Sequence, residues 1–161
     1  MTIDYQRLWQ HVTSEFACGP YSLHGPDHWR RVERNGLLIV TRSAAIEEVV
    51  RLFAVFHDSR REHDGWDDAH GQLGATYAAQ LRGKLFDLPD ARFELLHYAC
   101  CWHTHGTLND DPTIGACWDA DRLDLGRVGM EPEAKFMSTA VGREVVSHGS
   151  VQRFLAQTEI R

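Results

Sequence analysis

The sequence predicts an all-α protein that forms one domain over residues 1–161. Apolar residues recur at three- and four-residue intervals through most of the chain, which is the spacing of a helix with one buried face. Glycine and proline residues separate these segments, and no segment alternates apolar and polar residues as a half-buried strand would. A chain of 161 residues is long enough to enclose one hydrophobic core.

Glycine, proline and polar residues mark the predicted helix boundaries. Pro26 is expected in the first turn of the second helix, where its fixed φ is favourable, and Pro89 precedes a later helix. Beyond the sixth helix, Gly126, Gly129 and Pro132 interrupt the chain. The predicted helices cover residues 5–16, 26–40, 44–58, 69–85, 90–104 and a segment that carries residues 118–125, with a polar loop at 59–68. In the C-terminal helical tail, 131–161, residues 133–148 are expected to be weakly helical and residues 149–161 to form a short helix or fray.

Composition and charge exclude several classes of function. The formal net charge is −6, so no bulk positive charge is present to bind a nucleic-acid polymer. No apolar run reaches the roughly 18 residues that span a bilayer, and the N-terminus does not resemble a signal peptide. We therefore expect a cytoplasmic protein that does not bind membranes.

The four cysteines indicate buried free thiols rather than a disulfide framework. No CxxC pair is present, and four cysteines in 161 residues are too few for a disulfide-rich scaffold. A structural zinc site would require Cys100, Cys101 and Cys117, whose spacing is poor for that purpose. The ten histidines are the more informative feature of the composition.

An apolar helical segment ends in the adjacent pair His57-Asp58. Neighbouring residues on a helix project about 100° apart, so both can reach one ion only where the helix ends and other elements supply ligands. Each further candidate has an ordinary interpretation by itself, as a packed, capping or surface residue. Their joint occurrence at helix ends predicts a metal centre with one or two ions. The predicted metal ligands are His28, His57, Asp58, His70, His103 and Asp121.

Asp119 competes with Asp121 for the last ligand position. Two positions apart on a helix, the two carboxylates point about 200° away from each other, so both cannot face one site. The spacing by itself leaves this choice open.

The ordered set resembles that of the HD-domain metal-dependent phosphohydrolases, in which a histidine is followed by a His-Asp pair and then by an aspartate. His28, followed by Arg31-Val32, resembles the first ligand, and Asp121 in Ala-Asp-Arg-Leu resembles the last. His70-Gly71 and His103-Thr104 stand where a two-metal subgroup, the HD-type diadenosine tetraphosphate hydrolases, has two more histidines. Residues 120–127 are similar to that subgroup's Ala-Asp-x-Ile-Glu-Pro-x-Arg, and the resemblance covers about residues 23–127. It implies a helical bundle with a metal centre between the helices, and it supports Asp121 over Asp119.

Three departures from the family pattern bear on the substrate more than on the metal. Arg61 stands where two-metal members usually have lysine; arginine holds a phosphate with two donors but cannot act as a general acid at neutral pH. Asp124 replaces the subgroup's glutamate, and Leu125 replaces its proline.

The resemblance implies a hydrolase that acts on a nucleotide or another small phosphorylated metabolite. Imidazole and carboxylate ligands suit iron, manganese, zinc or nickel, with magnesium as a further candidate. Asp58 and Arg61 are the expected catalytic residues, and Arg61, Arg127 and His24 the expected substrate-binding residues. Two alternatives stay open: an oxidative di-iron reaction on the same fold, and a sensor that binds its ligand without turnover. The oligomeric state is also open, a homodimer included.

Overall fold

The structure is a computed structural model that describes residues 2–158. Within this range it contains eight α-helices and two short 3-10 helices, so the all-α prediction is confirmed. The α-helices are α1 (Tyr5–Ser14), α2 (Pro26–Val40), α3 (Glu47–Phe56), α4 (His70–Leu81), α5 (Asp90–Trp102), α6 (Pro112–Arg122), α7 (Ala140–Ser147) and α8 (Val151–Thr158). The 3-10 helices are Leu125–Val128 and Ala134–Phe136. Residues 159–161 of the predicted tail lie outside the described residues.

Side-chain caps fix the starts of several helices. The Asp4 carboxylate accepts a hydrogen bond from the Arg7 N–H at 3.0 Å and caps α1. The Asp111 carboxylate caps α6 by accepting from the N–H groups of Thr113 and Ile114. At α2, Pro26 occupies the first turn, as predicted. These caps satisfy N–H groups that have no acceptor within their own helix.

The extents of three predicted helices differ from those in the structure. The third helix begins at Glu47 rather than near residue 44, since the Ile46 N–H donates to Thr113 Oγ1 at 3.1 Å. The fourth ends at Leu81 rather than at residue 85, where Gly83 has a φ of 76° and its N–H donates to the Phe86 carbonyl. Residues 133–148 form a 3-10 turn and α7 instead of one weak helix.

Helix α3 lies at the centre of the core. From Leu52 to Phe56 every residue has no exposed surface, and α2, α4, α5 and α6 pack around this helix. An apolar helix enclosed by others carries its C-terminal end into the interior. The two residues that follow, His57 and Asp58, are therefore buried as well, at 0% and 2% exposure. Across residues 2–158, no helix combines the length and the apolar character that crossing a bilayer requires.

Two glycines allow α4 to approach its neighbours closely enough to bring His70 to the end of α3. A β-carbon at Gly71 would lie 2.5 Å from the Cys100 carbonyl oxygen of α5. A β-carbon at Gly74 would lie 2.3 Å from the Phe56 carbonyl oxygen of α3. Both distances are well inside van der Waals contact with backbone atoms, which cannot rotate away. Glycine is therefore required at both positions for α4 to pack as it does.

We expect Gly74→Ala to lower the free energy of unfolding by about 1–3 kcal/mol, because the added methyl group forces α4 away from α3. Urea denaturation followed by circular dichroism measures this change. Gly126→Ala is the matched control, since a β-carbon there meets no atom within 4 Å. Equal stability of the two variants would show that α4 does not pack this tightly.

Candidate metal centre

The structure brings the six predicted ligands together from five parts of the fold. All six residues lie at or near the end of a helix, and α6 supplies the last carboxylate. Five of the six side chains are buried, and Asp121 retains 14% side-chain exposure. The residues are His28 in α2, His57 and Asp58 after α3, His70 at the start of α4, His103 after α5, and Asp121 in α6.

One carboxylate oxygen of Asp58 faces a first group of ligand atoms. Asp58 Oδ2 lies 3.5 Å from His28 Nε2 and 3.6 Å from His57 Nε2. The two imidazole nitrogens are 3.1 Å apart. Asp121 Oδ1 completes this group, 3.2 Å from His28 Nε2 and 3.7 Å from His57 Nε2.

The other oxygen of Asp58 faces a second group. Asp58 Oδ1 lies 3.1 Å from His70 Nε2 and 3.5 Å from His103 Nε2, and these two nitrogens are 2.9 Å apart. Two ligands about 2.1 Å from one ion lie about 3.0–3.4 Å from each other in octahedral or tetrahedral geometry. The separations in both groups are close to this range. Each of the two groups, which have Asp58 in common, could therefore hold a metal ion.

The Nδ1 atom of each imidazole faces away from the cluster and donates a hydrogen bond to an oxygen acceptor. Such a contact places the proton on Nδ1 and leaves the Nε2 lone pair facing the cluster, as metal-binding histidines require. The acceptors are Asp124 Oδ2 for His28 (2.7 Å) and the carbonyls of Phe53 for His57 (3.1 Å), Asp67 for His70 (2.5 Å) and Cys100 for His103 (2.7 Å). With every Nε2 deprotonated, as metal binding requires, the cluster would present four nitrogen lone pairs and two carboxylates to its centre.

Burial and charge shift the pKa values of the cluster in opposite directions. Burial lowers the pKa of His57 to about 3, so this imidazole is neutral. Burial also lowers the pKa of His28, but hydrogen bonds to Asp121, Asp124 and Asp58 outweigh it and raise the value to about 10. The carboxyl of Asp58 stays ionised despite its burial, because His57 and the other surrounding imidazoles hold its pKa well below the usual range. Without a metal ion, protons therefore balance the buried carboxylates; a divalent ion would replace them.

Asp124 holds His28 from outside the cluster, a role that sequence reasoning did not assign to it. Its Oδ2 accepts the Nδ1–H of His28 at 2.7 Å, and its Oδ1 accepts from Arg31 Nε at 2.8 Å. The carboxylate thereby fixes the imidazole ring and raises its basicity. The sequence contained a signal for this role, since Asp124 stands in the segment that resembles the family's last motif.

We expect Asp124→Ala to weaken metal binding about 10- to 100-fold, because His28 loses the acceptor that orients its ring. Competition with a chelating indicator dye measures the affinity. Asp110→Ala, at an exposed position in a turn, is the control. Wild-type affinity in Asp124→Ala would contradict this role.

Asp119 and Asp121 occupy different environments, although they lie two positions apart. Asp121 faces His28 and His57, whereas the Asp119 carboxylate points to the start of α7. There it accepts hydrogen bonds from the Ser138 N–H (2.8 Å), the Thr139 N–H (2.8 Å) and Thr139 Oγ1 (2.6 Å). Burial raises the pKa of Asp119 in spite of these bonds. Its geometry is that of a structural carboxylate.

The three predicted substrate-binding residues lie next to the cluster. Arg61 Nε is 3.3 Å from Asp58 Oδ1, and Arg61 Nη1 donates to the Gly65 carbonyl at 3.1 Å. His24 Nδ1 is 3.2 Å from Asp58 Oδ2. Arg127 Nη2 is 3.4 Å from Asp121 Oδ1.

Sequence reasoning did not single out Thr104, whose Oγ1 lies 3.3 Å from His70 Nε2. Its place beside His103 was the available signal.

The cysteines do not join the cluster: Cys100 and Cys117 are buried, and burial raises the pKa of both thiols well above the usual value. Within residues 2–158, the groups able to hold a metal ion contain no cysteine.

Comparison with known proteins gives one informative match. No protein-family model matches the chain, and no curated protein matches it either. Among solved structures, the chain is similar to a predicted HD superfamily hydrolase from an uncultured Thermotogales bacterium, with a TM-score of 0.69 and 27% sequence identity. The match covers 95% of this chain and 92% of that chain. The helical fold matches that of this HD superfamily protein, and the cluster around the His57-Asp58 pair fits an HD-type metal site.

Proposed function

We propose that the chain is a metal-dependent phosphohydrolase that cleaves a phosphoester or phosphoanhydride bond in a nucleotide or another small phosphorylated metabolite. The observation that carries the proposal is the position of Asp58, which presents one oxygen to each of two imidazole groups. Four imidazole nitrogens and two carboxylates suit iron, manganese, zinc or nickel, with magnesium as a further candidate. Divalent ions in such a site supply an activated water and charge stabilisation for phosphoryl transfer.

Among residues 2–158, Arg61 is the cationic group best placed to receive a phosphoryl group. Its side chain is 11% exposed, beside Asp58, and the Gly65 carbonyl holds one end of its guanidinium. A guanidinium in this position neutralises the negative charge that develops on phosphoryl oxygens. A guanidinium does not serve as a general acid at neutral pH, so another group must give a proton to the leaving group. Buried next to Asp58, the His24 imidazole is the titratable group suited to that step.

The proposal is tested by measuring bound metal and then turnover. The protein is loaded with manganese or iron and assayed against phosphomonoesters, nucleotides and dinucleoside polyphosphates. We expect metal-dependent release of phosphate or of a nucleotide, with the same rate under anaerobic conditions. Turnover that requires oxygen would favour the di-iron oxidation, and tight nucleotide binding without turnover would favour a sensor.

For whichever substrate is turned over, we expect Arg61→Gln to lower kcat/KM by about 10²- to 10³-fold, because one charge-stabilising donor is lost. Arg61→Lys should recover part of the loss, since it keeps the charge but not the two-donor geometry. Arg60→Gln is the matched control, because the Arg60 guanidinium lies over the Tyr77 ring instead. Equal kinetics for Arg61→Gln and Arg60→Gln would exclude Arg61 from the reaction.

A further inference from the structure

A cavity lies beside the cluster, between α2, the Leu125–Val128 turn and the junction of α7 and α8. Its volume is about 510 Å³, within the range of small-molecule sites. None of the six predicted metal ligands lines it. Two of its lining residues do contact the cluster: Asp124 holds His28, and Arg127 reaches Asp121. The cavity is therefore adjacent to the metal centre but not part of it.

Arginine dominates the charge of this cavity. Four arginines line it against two acidic residues, in a chain whose formal net charge is −6. Both oxygens of one acid, Asp124, are already occupied by His28 and Arg31. Among residues 2–158, no carboxylate lies within ion-pair distance of Arg34 or Arg153. The arginines are Arg31, Arg34, Arg127 and Arg153, and the acids are Asp124 and Glu131.

Arg127 adds a buried donor without an acceptor. Its side chain is 9% exposed; Nη1 donates to the Asp124 carbonyl at 3.0 Å, and Nη2 lies 3.4 Å from Asp121 Oδ1. Nε is buried and has no hydrogen-bond partner within the described part of the chain. Leaving a charged donor buried and unpaired costs free energy, so a site of this kind favours an incoming acceptor.

The start of α8 adds to the same positive potential. The residues from Gly149 to Arg153 line the cavity, and the first-turn N–H groups of an α-helix carry partial positive charge. Gly149 has a φ of 84°, which lets the chain turn from α7 into α8 at this point. Guanidinium groups and helix N–H groups together are the donors that bind phosphate oxygens.

We propose that this cavity is a second ligand site, which binds the phosphoryl group of a small phosphorylated molecule. The guanidinium groups of Arg34 and Arg153 bind its oxygens from the open side, and Arg127 binds them from the buried side. This inference does not depend on the reaction at the metal centre, because none of the six predicted metal ligands lines the cavity.

Titration calorimetry with inorganic phosphate on the full-length protein tests the proposal. We expect saturable binding to the wild type, and an affinity about 10- to 100-fold lower in the double variant Arg34→Gln/Arg153→Gln, since two charged donors are lost. Arg7→Gln, which removes an exposed charge on α1 outside the cavity, should bind phosphate as the wild type does. The Tm of the double variant is measured alongside, because Arg34, although exposed, also donates from Nη2 to Asn35 Oδ1 at 3.1 Å.

Two further variants separate this cavity from the metal centre. His70→Gln removes a ligand of the cluster and should leave phosphate affinity unchanged. Arg34→Lys keeps the charge without the two-donor fork and should bind with intermediate affinity. The proposal fails if the wild type shows no saturable binding, if the double variant binds as tightly as the wild type, or if His70→Gln abolishes binding.

Discussion

Asp58→Asn should lose both metal positions and lower turnover by more than about 10³-fold. The substitution keeps the size of the side chain but replaces one ligand oxygen by an NH₂ group that cannot bind a cation. Since each oxygen of Asp58 faces a different imidazole group, one of the two groups loses its Asp58 oxygen. The loss of negative charge weakens the other group as well. Changing a residue that only orients a metal ligand typically lowers metal affinity about 10- to 100-fold, and losing a shared ligand should lower it further.

Elemental analysis of the purified protein measures the first effect as ions per chain. Thermal unfolding gives a second measurement, because a ligand at about 100 times its Kd stabilises the folded state by about 2.7 kcal/mol. Chelation should therefore lower the Tm of the wild type and leave that of Asp58→Asn unchanged. Asp27→Asn, exposed in the first turn of α2, should behave as the wild type. Two ions per chain in Asp58→Asn would refute the shared-carboxylate arrangement.

Asp119→Asn and Asp121→Asn should produce opposite phenotypes, although the two residues are two positions apart on α6. The Ser138 and Thr139 N–H groups donate to different oxygens of Asp119, so asparagine at position 119 places its NH₂ group against one of these two donors. Donors then face donors in a buried site, and we expect the free energy of unfolding to fall by about 2–3 kcal/mol. For a chain of this size that corresponds to a Tm lower by about 4–12 °C. Metal affinity should change little.

Asparagine at position 121 changes the cluster instead. The Asp121 side chain is 14% exposed, and its Oδ1 faces His28, His57 and Arg127. We expect metal affinity to fall by more than about 10-fold, because a charged ligand becomes neutral. Metal titration and thermal unfolding of both variants measure these effects. Loss of metal binding in Asp119→Asn, with Asp121→Asn unaffected, would show that Asp119 is the ligand and Asp121 is not.

Helix positions were largely predictable from the sequence, because an amphipathic helix is encoded by residues that lie close together in the chain. The boundaries at Ile46 and at the start of α7 were not. Each depends on a hydrogen bond to a residue distant in sequence: Ile46 to Thr113, and Ser138 to Asp119. Helical periodicity contains no information about such partners.

The candidate cluster was predictable as a set of residues, because histidines and aspartates at helix ends in a fixed order already indicate shared chemistry. The distances and side-chain orientations within it were not. That each oxygen of Asp58 faces a different pair of imidazoles depends on the approach of α4 and α5 to the end of α3. That approach requires the absence of a side chain at Gly71 and Gly74, a steric condition between helices.

For this protein, the sequence by itself determined the helical class and the residues that could bind a metal, since both follow from local spacing and side-chain chemistry. Only the tertiary structure decided the orientation of those side chains. It turned Asp121 toward the cluster and Asp119 toward α7, placed Asp124 behind His28, and gathered Arg34, Arg127 and Arg153 around one cavity. The reason is physical: such contacts join residues that are far apart in the chain, and packing alone brings them within reach of each other.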